Sequence, residues 1–285
     1  MKKYPLGIFF FGGSLFLISI LLGIFNAFNW QKVFLENKSR EISLESPEIS
    51  FFQFVFYFFL STLIFLIFCS LSKKFQKGKE GFLKILFLFV SIFGMFYFFS
   101  PLFDLFSLPL VIFLSYLWLK KRNLFLNNLC FILGMAGIGG ILGLQLKTNT
   151  LILLLIFLSI YDFLAVYKTR HMVRMASEMM ETKIILGLII PPKISDLKID
   201  LRKVEFKGRF LILGGGDVGF PLMFCANLTK INLFSALIVA FFSLFGLFLN
   251  FYLLSKQKTS HPLPALPSLS FFLIIGYLLT FLIKF

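Results

Sequence analysis

From its first residues to its last, the chain repeats one pattern: apolar runs of about 20 residues, each able to cross about 30 Å of hydrocarbon as a helix. Inside a bilayer only helices or closed barrels satisfy their own backbone, and the period-2 alternation of a barrel is missing. The runs predict nine spans: 5–28, 51–71, 82–100, 102–119, 124–146, 150–168, 208–228, 231–254 and 263–283. Only Ser100-Pro101 parts the third from the fourth. With 59% hydrophobic residues and 44 phenylalanines among 285, nothing remains for a soluble domain. The expected fold is an all-α polytopic membrane protein of nine transmembrane helices. The first run is too long for the apolar core of a signal peptide and lacks a small-residue cleavage site, so it reads as a retained span.

Charge gives the orientation. With the N-terminus in the cytoplasm, 22 of the 28 lysines and arginines fall in inner connections, ten of them between Lys168 and Arg209. The positive-inside rule then predicts a cytoplasmic N-terminus and an outer C-terminus, as an odd number of spans requires. The net charge of +15 is explained by these connections and calls for no nucleic-acid partner. The chain reads as one membrane domain over 1–285, with a six-span part at 1–168, a cytoplasmic connection at 169–207 and a three-span part at 208–285.

Of thirteen acids, ten lie in connections, and only Asp104, Asp162 and Asp217 stand in apolar surroundings. Asp104 follows Pro101 at an outer turn, within reach of water. The other two are costly: an acid at the centre of a spanning helix disfavours insertion by roughly 2.5 to 3.5 kcal/mol, so its presence points to a site. Asp162 lies six residues before Lys168 and Asp217 nine after Gly208, which as helix puts them roughly 9 and 13 Å below one surface. Antiparallel spans six and seven would thus bring two carboxylates face to face. Gly214, Gly215 and Gly216 precede Asp217, allowing close approach and local unwinding, and Pro221 removes an amide donor one turn later. Gly134-Met135-Ala136-Gly137, Gly139-Gly140 and Gly12-Gly13-Ser14 read as packing faces.

The connection before span seven carries its own signals. Met172, Met175 and Met179 share one helical face, as in an interfacial helix. Ile184–Ile190 is apolar and ends at Pro191-Pro192; Leu197–Leu201 and Val204–Lys207 alternate as strands do, and a strand edge ahead of Asp217 could pair with an extended peptide. Span nine opens on Pro262, Pro264 and Pro267, which prevent a regular helix start and suit a polar cavity.

Two facing carboxylates share one proton. One can act as base on a water while the other, protonated, polarises a carbonyl, which amounts to amide hydrolysis without metal or covalent intermediate. His171 and His261 lie at span ends and form no HExxH, so neither a zinc site nor a serine–histidine pair is supported. The three cysteines fall one per apolar segment and form no disulfide framework.

Tyr161-Asp162, Gly214-Gly215-Gly216-Asp217 and Pro264-Ala265-Leu266 stand in that order in spans six, seven and nine. Together they resemble the YD, GxGD and PAL motifs of the presenilin and signal-peptide-peptidase family of intramembrane aspartyl proteases. The resemblance implies that Asp162 and Asp217 are the catalytic pair, that Tyr161 and the three glycines shape the site, and that Pro264, Ala265 and Leu266 border it and receive substrate. It implies no metal and no cofactor. The implied partners are transmembrane-helix substrates and the lipid bilayer; self-association as a homo-oligomer is allowed, and no partner subunit is identifiable. The topology is similar to that of presenilin, implying substrates whose N-terminus lies outside, and the compactness resembles archaeal members, implying a prokaryotic cell membrane. Prepilin peptidases also carry GxGD, but the PAL segment argues against them. The alternative from another class is a proton-coupled transporter or channel with the two acids as a relay. No inverted repeat relates spans one to four with six to nine.

Overall fold

Most of the apolar runs fold as helices, and where they depart from helix they do so around the two acids. The computed structural model describes residues 6–39, 51–53, 55–57, 60, 64, 76–168, 171–204, 210–257 and 262–282. The helices are α1 (Leu6–Ser39), α2 (Gln76–Phe103), α3 (Ser107–Lys120), α4 (Leu124–Gln145), α5 (Thr148–Tyr167), α6 (His171–Thr182), α7 (Gly215–Leu228), α8 (Leu233–Lys256) and α9 (Leu266–Leu282). The described residues of the second predicted span, 51–71, are helical. Among the described residues, five helical stretches are long and apolar enough to cross a membrane, and α9 is a shorter apolar helix. Phe10, Ile85, Phe89, Ile112, Leu153 and Phe241 project outward from them, as a lipid-facing surface requires.

The expected break at Ser100-Pro101 lies elsewhere. The helix continues through Pro101, and the chain reverses in a 3-10 turn at Asp104–Phe106, where Asp104 adopts a φ of 41°. Proline is tolerated because the carbonyl it leaves without a donor, that of Tyr97, accepts from Asn26 Nδ2 at 3.1 Å and Trp30 Nε1 at 2.8 Å on α1. The α2–α3 hairpin closes at its far end, where Trp118 stacks on Phe87 with centroids 4.5 Å apart.

At the centre is α4, whose glycines let three helices, α1, α2 and α7, approach it. A Cβ on Gly137 would lie 1.8 Å from the Gly94 carbonyl of α2, and one on Gly140 would meet Asn26 and the Gly23 carbonyl of α1. Gly139 and Gly143 accept Leu222 and the Met223 backbone of α7. Bilayer solvent supplies no hydrophobic drive between helices, so such close packing and interhelical hydrogen bonds hold the bundle. Buried asparagines supply the bonds: Asn227 of α7 donates to the Gly143 and Leu146 carbonyls at 2.8 and 2.7 Å and accepts from Thr148.

The all-α expectation is corrected by a two-stranded antiparallel sheet, β1 (Gly187–Ile190) and β2 (Leu211–Gly214), with Gly187 opposite Gly214 and Ile190 opposite Leu211. Span seven, expected as a helix over 208–228, is therefore a strand followed by a 14-residue helix. Of Leu197–Leu201, expected extended, Ile199 and Asp200 are extended and Asp200 bridges to Asn123, while the residues on either side lie in 3-10 turns at Ile194–Lys198 and Leu201–Lys203, the second capped by Asp200 through the Arg202 amide. Val204 is extended, and Glu205–Lys207 lie outside the described residues. This segment docks on the α3–α4 turn through Leu201 N–H to the Arg122 carbonyl and Leu124 N–H to the Ile199 carbonyl. Helix α6 forms where the methionine periodicity predicts it, and Met179 packs on the core. Span nine starts as helix at Leu266, leaving Pro262–Ala265 non-helical, as three prolines in six residues dictate.

Candidate active site

The glycine run is a strand-to-helix junction. Gly214 ends β2 as the N-cap of α7, with φ −62° and ψ 156°, and Asp217 is the third helical residue. Its Oδ2 reaches back to accept the Gly214 N–H at 3.2 Å, the bond an acid at this position makes in a capping box. The carboxylate thus sits at the positive end of a helix and not at its centre. A side chain on Gly214 would stand 3.1 Å from that oxygen and push it away. The sequence signal for this was present: glycine followed three residues later by an acid is a helix-start pattern. Pro221 cannot donate to the carbonyl of Asp217, so the first turn of α7 is missing one bond.

Asp162 projects from α5 and is 3% exposed. Its Oδ2 accepts the Leu266 N–H at 3.2 Å, with the Ala265 amide alongside. The non-helical lead into α9 therefore presents free amides to an acid on another helix, which is what three prolines accomplish there. Asp162 and Asp217 interact electrostatically, and Tyr161, half-buried on α5, interacts with Asp162 in the same way. Gly215 faces the Leu186 carbonyl, Gly216 is exposed, and Pro264 is half-buried beside the buried Ala265 and Leu266. Of the residues singled out in the sequence, the fold thus gathers Tyr161, Asp162, Gly214, Asp217, Ala265 and Leu266 around one point.

Sequence reasoning missed the residues that hold these pieces. Asn250 of α8 donates to the Ala265 carbonyl at 3.0 Å, and Ser159 of α5 to the Leu266 carbonyl at 3.4 Å. Asn128 of α4 donates to the Ile189 carbonyl at 2.7 Å and accepts the Ile189 N–H at 3.0 Å. Asn127 reaches the Ile185 carbonyl and is itself held by Trp118 Nε1. A buried asparagine in a spanning run was the available signal, since a polar side chain there needs a partner.

Because Ile189 turns its polar groups toward Asn128, its partner Ile212 turns its own away from β1, as the alternation of an antiparallel ladder requires. Among the described residues neither group of Ile212 has a partner, and its side chain is 37% exposed. The outer edge of β2 thus ends beside Asp217 and is open to another strand. An apolar cavity of about 170 Å³, lined by Phe87, Ser91, Phe131, Met135 and Leu186, adjoins Gly215.

The family model described as signal-peptide peptidase, presenilin aspartyl protease matches residues 14–284. A structure of a presenilin family intramembrane aspartate protease in a C222 space group aligns with a TM-score of 0.62 at 17% identity, covering 94% of each chain. A second, in a P2 space group, aligns with a TM-score of 0.61 at 19% identity, covering 98% of each. At these identities the likeness is one of fold. Among the curated proteins nothing matches.

Proposed function

The chain belongs to the signal-peptide peptidase and presenilin family of aspartyl proteases, and from that premise we propose that Asp162 and Asp217 hydrolyse peptide bonds within transmembrane segments of other proteins. The observation that supports the reading is the Leu266 N–H bonded to the buried Asp162 at 3.2 Å, 104 residues away in the chain.

In this mechanism the pair holds one proton. The ionised carboxylate removes a proton from water as the water oxygen attacks the carbonyl carbon, while the protonated partner donates to the carbonyl oxygen. The resulting diol collapses: the ionised carboxylate takes a proton from one hydroxyl as the carbonyl re-forms, the carbon–nitrogen bond breaks as the other carboxyl passes its proton to the nitrogen, and the pair is left with one shared proton. The peptide unwinds from helix and joins the free edge of β2, which brings its backbone alongside Asp217. Tyr161, Gly214, Gly215 and Gly216 shape the space, and Pro264, Ala265 and Leu266 border it.

The wider reading has nine spans with an inner N-terminus and an outer C-terminus, forming one unit of six-span part (1–168), connection (169–207) and three-span part (208–285). Its substrates have their N-terminus outside, and its location is a prokaryotic, archaeal-type cell membrane. The test is cleavage of a single-span, N-out substrate by purified chain in liposomes, with mass spectrometry of the products. Wild type should cut within the apolar segment; Asp217→Ala and Asp162→Asn should lose about 10²- to 10⁴-fold in rate while remaining folded. Full activity in either variant would remove that residue from the mechanism.

A further inference from the structure

A carboxamide stands where a third strand would. Asn128 is 3% exposed, and both its hydrogen bonds go to one residue, Nδ2–H to the Ile189 carbonyl and Oδ1 from the Ile189 N–H. A neighbouring strand would engage these same two groups in a hydrogen-bonded antiparallel pair, and an amide carries the matching donor and acceptor. Asn128 rides on α4, the most enclosed of the spanning helices, so the contact refers β1 to a rigid body. From β1 the reference passes through the ladder to β2, and from β2 to Gly214, whose N–H holds Asp217. A slip of one residue would exchange the inward and outward polar groups of β1 and leave the amide without its partners.

We propose that Asn128 is a positioning residue for peptide hydrolysis: it closes the outer edge of β1, so that an extended substrate joins the sheet only at β2, and it sets the register that aligns Asp217 with the scissile bond. The proposal rests on the protease reading above. A merely structural asparagine would tie β1 to α4 for stability alone, and the two roles differ in what they do to the position of the cut.

The experiment compares full-length wild type, Asn128→Leu and Asn227→Leu in liposomes on one single-span substrate. It reads folded fraction by thermal unfolding, kcat and KM per folded enzyme, and the cut bonds by mass spectrometry. Asn227 is a buried asparagine that bonds α7 to the α4–α5 turn, away from the sheet, and controls for lost stability. Asn128→Leu should lower kcat about 10- to 100-fold per folded enzyme and spread cleavage over neighbouring bonds, because small misplacements of reacting groups are costly. Asn227→Leu should lower the folded fraction and leave the cut in place. An Asn128→Leu enzyme that cuts the wild-type bond with wild-type kcat would overturn the proposal. If Asn128→Leu does not fold, Asn128→Ser combined with Ile189→Cys and Ile212→Cys replaces it. Oxidation, which locks the facing pair, should then gather a spread of cuts to the wild-type bond, and a pattern unchanged by oxidation would overturn the proposal. Absence of cleavage by wild type itself would count against the protease reading instead, so the two failures are distinct.

Discussion

At the scale of single residues, the candidate site holds two acids proposed to react and, apart from them, the groups that hold their surroundings. Asp162 and Asp217 announce themselves in the sequence because ionisable side chains in apolar runs need a reason. If they work as a pair, the rate against pH is bell-shaped, reporting constants that belong to both acids; a rate flat between about pH 4 and pH 9 in a liposome assay would contradict pairing. Asn250 and Ser159 hold the lead into α9 by donating to its carbonyls, those of Ala265 and Leu266. Replacing Asn250 by leucine removes one of three donors to the Ala265 carbonyl, which keeps Ser268 Oγ–H and Leu269 N–H, a cost of about 0.5–1.5 kcal/mol. The expected result is a lower unfolding temperature together with at least about a tenfold loss of kcat, because the Leu266 amide then moves relative to Asp162. An Asn250→Leu enzyme with unchanged kcat would show that the lead into α9 holds its position by other means.

At the scale of elements, the departures from regular helix carry the site. Gly187 faces the Leu213 carbonyl so closely that a Cβ would lie 2.6 Å from it, so Gly187→Ala must part the ladder. Cleavage should fall with little change in the unfolding temperature, since α4 and its neighbours are untouched. The helix contacts respond in the opposite sense. Gly137→Ala places a methyl group 1.8 Å from the Gly94 carbonyl, and two backbones cannot yield as a flexible side chain would. It should destabilise the fold by about 1–3 kcal/mol or more, measured as unfolding in detergent. The small-residue runs were legible because α4 must approach several neighbours. The strands were not, because β1 is buried on both faces and an apolar run of four has no period to distinguish it from helix. The alternation at Leu197–Leu201 held only for Ile199 and Asp200, because local capping by Asp200 turned the chain at Leu201.

At the scale of the whole molecule, charge and hydropathy set how the chain lies in the membrane, and packing sets where its ends of helices meet. The inner clusters of lysine and arginine predict that a tag on the N-terminus is shielded in sealed, right-side-out cells and that one on the C-terminus is accessible to impermeant labels. The reverse labelling would overturn both the orientation and the preference for N-out substrates. The turn at residues 121–124 illustrates the coupling between distant parts. Arg122 is buried against Trp118, pairs with Glu80 at 3.3 Å, and offers its carbonyl to Leu201 of the connection. The connection is thereby fastened to α3 and α4, and the sheet that it begins is completed only by β2, on the far side of the same connection.

The sequence by itself determined that the chain is a mostly helical membrane protein and which acids stand out of place in it, since apolar run length and misplaced acids are properties of composition along the chain and need no partner to be read. Tertiary structure alone decided that the glycine run is a strand-to-helix junction, that the prolines before Leu266 free amides for Asp162, and that Asn128 and Asn250 hold the two pieces in place. These depend on hydrogen-bond partners distant in the chain, 15 residues for Asn250 to Ala265, 61 for Asn128 to Ile189 and 104 for Leu266 to Asp162. Local propensity carries no information about such partners; only packing the helices against one another brings them within reach.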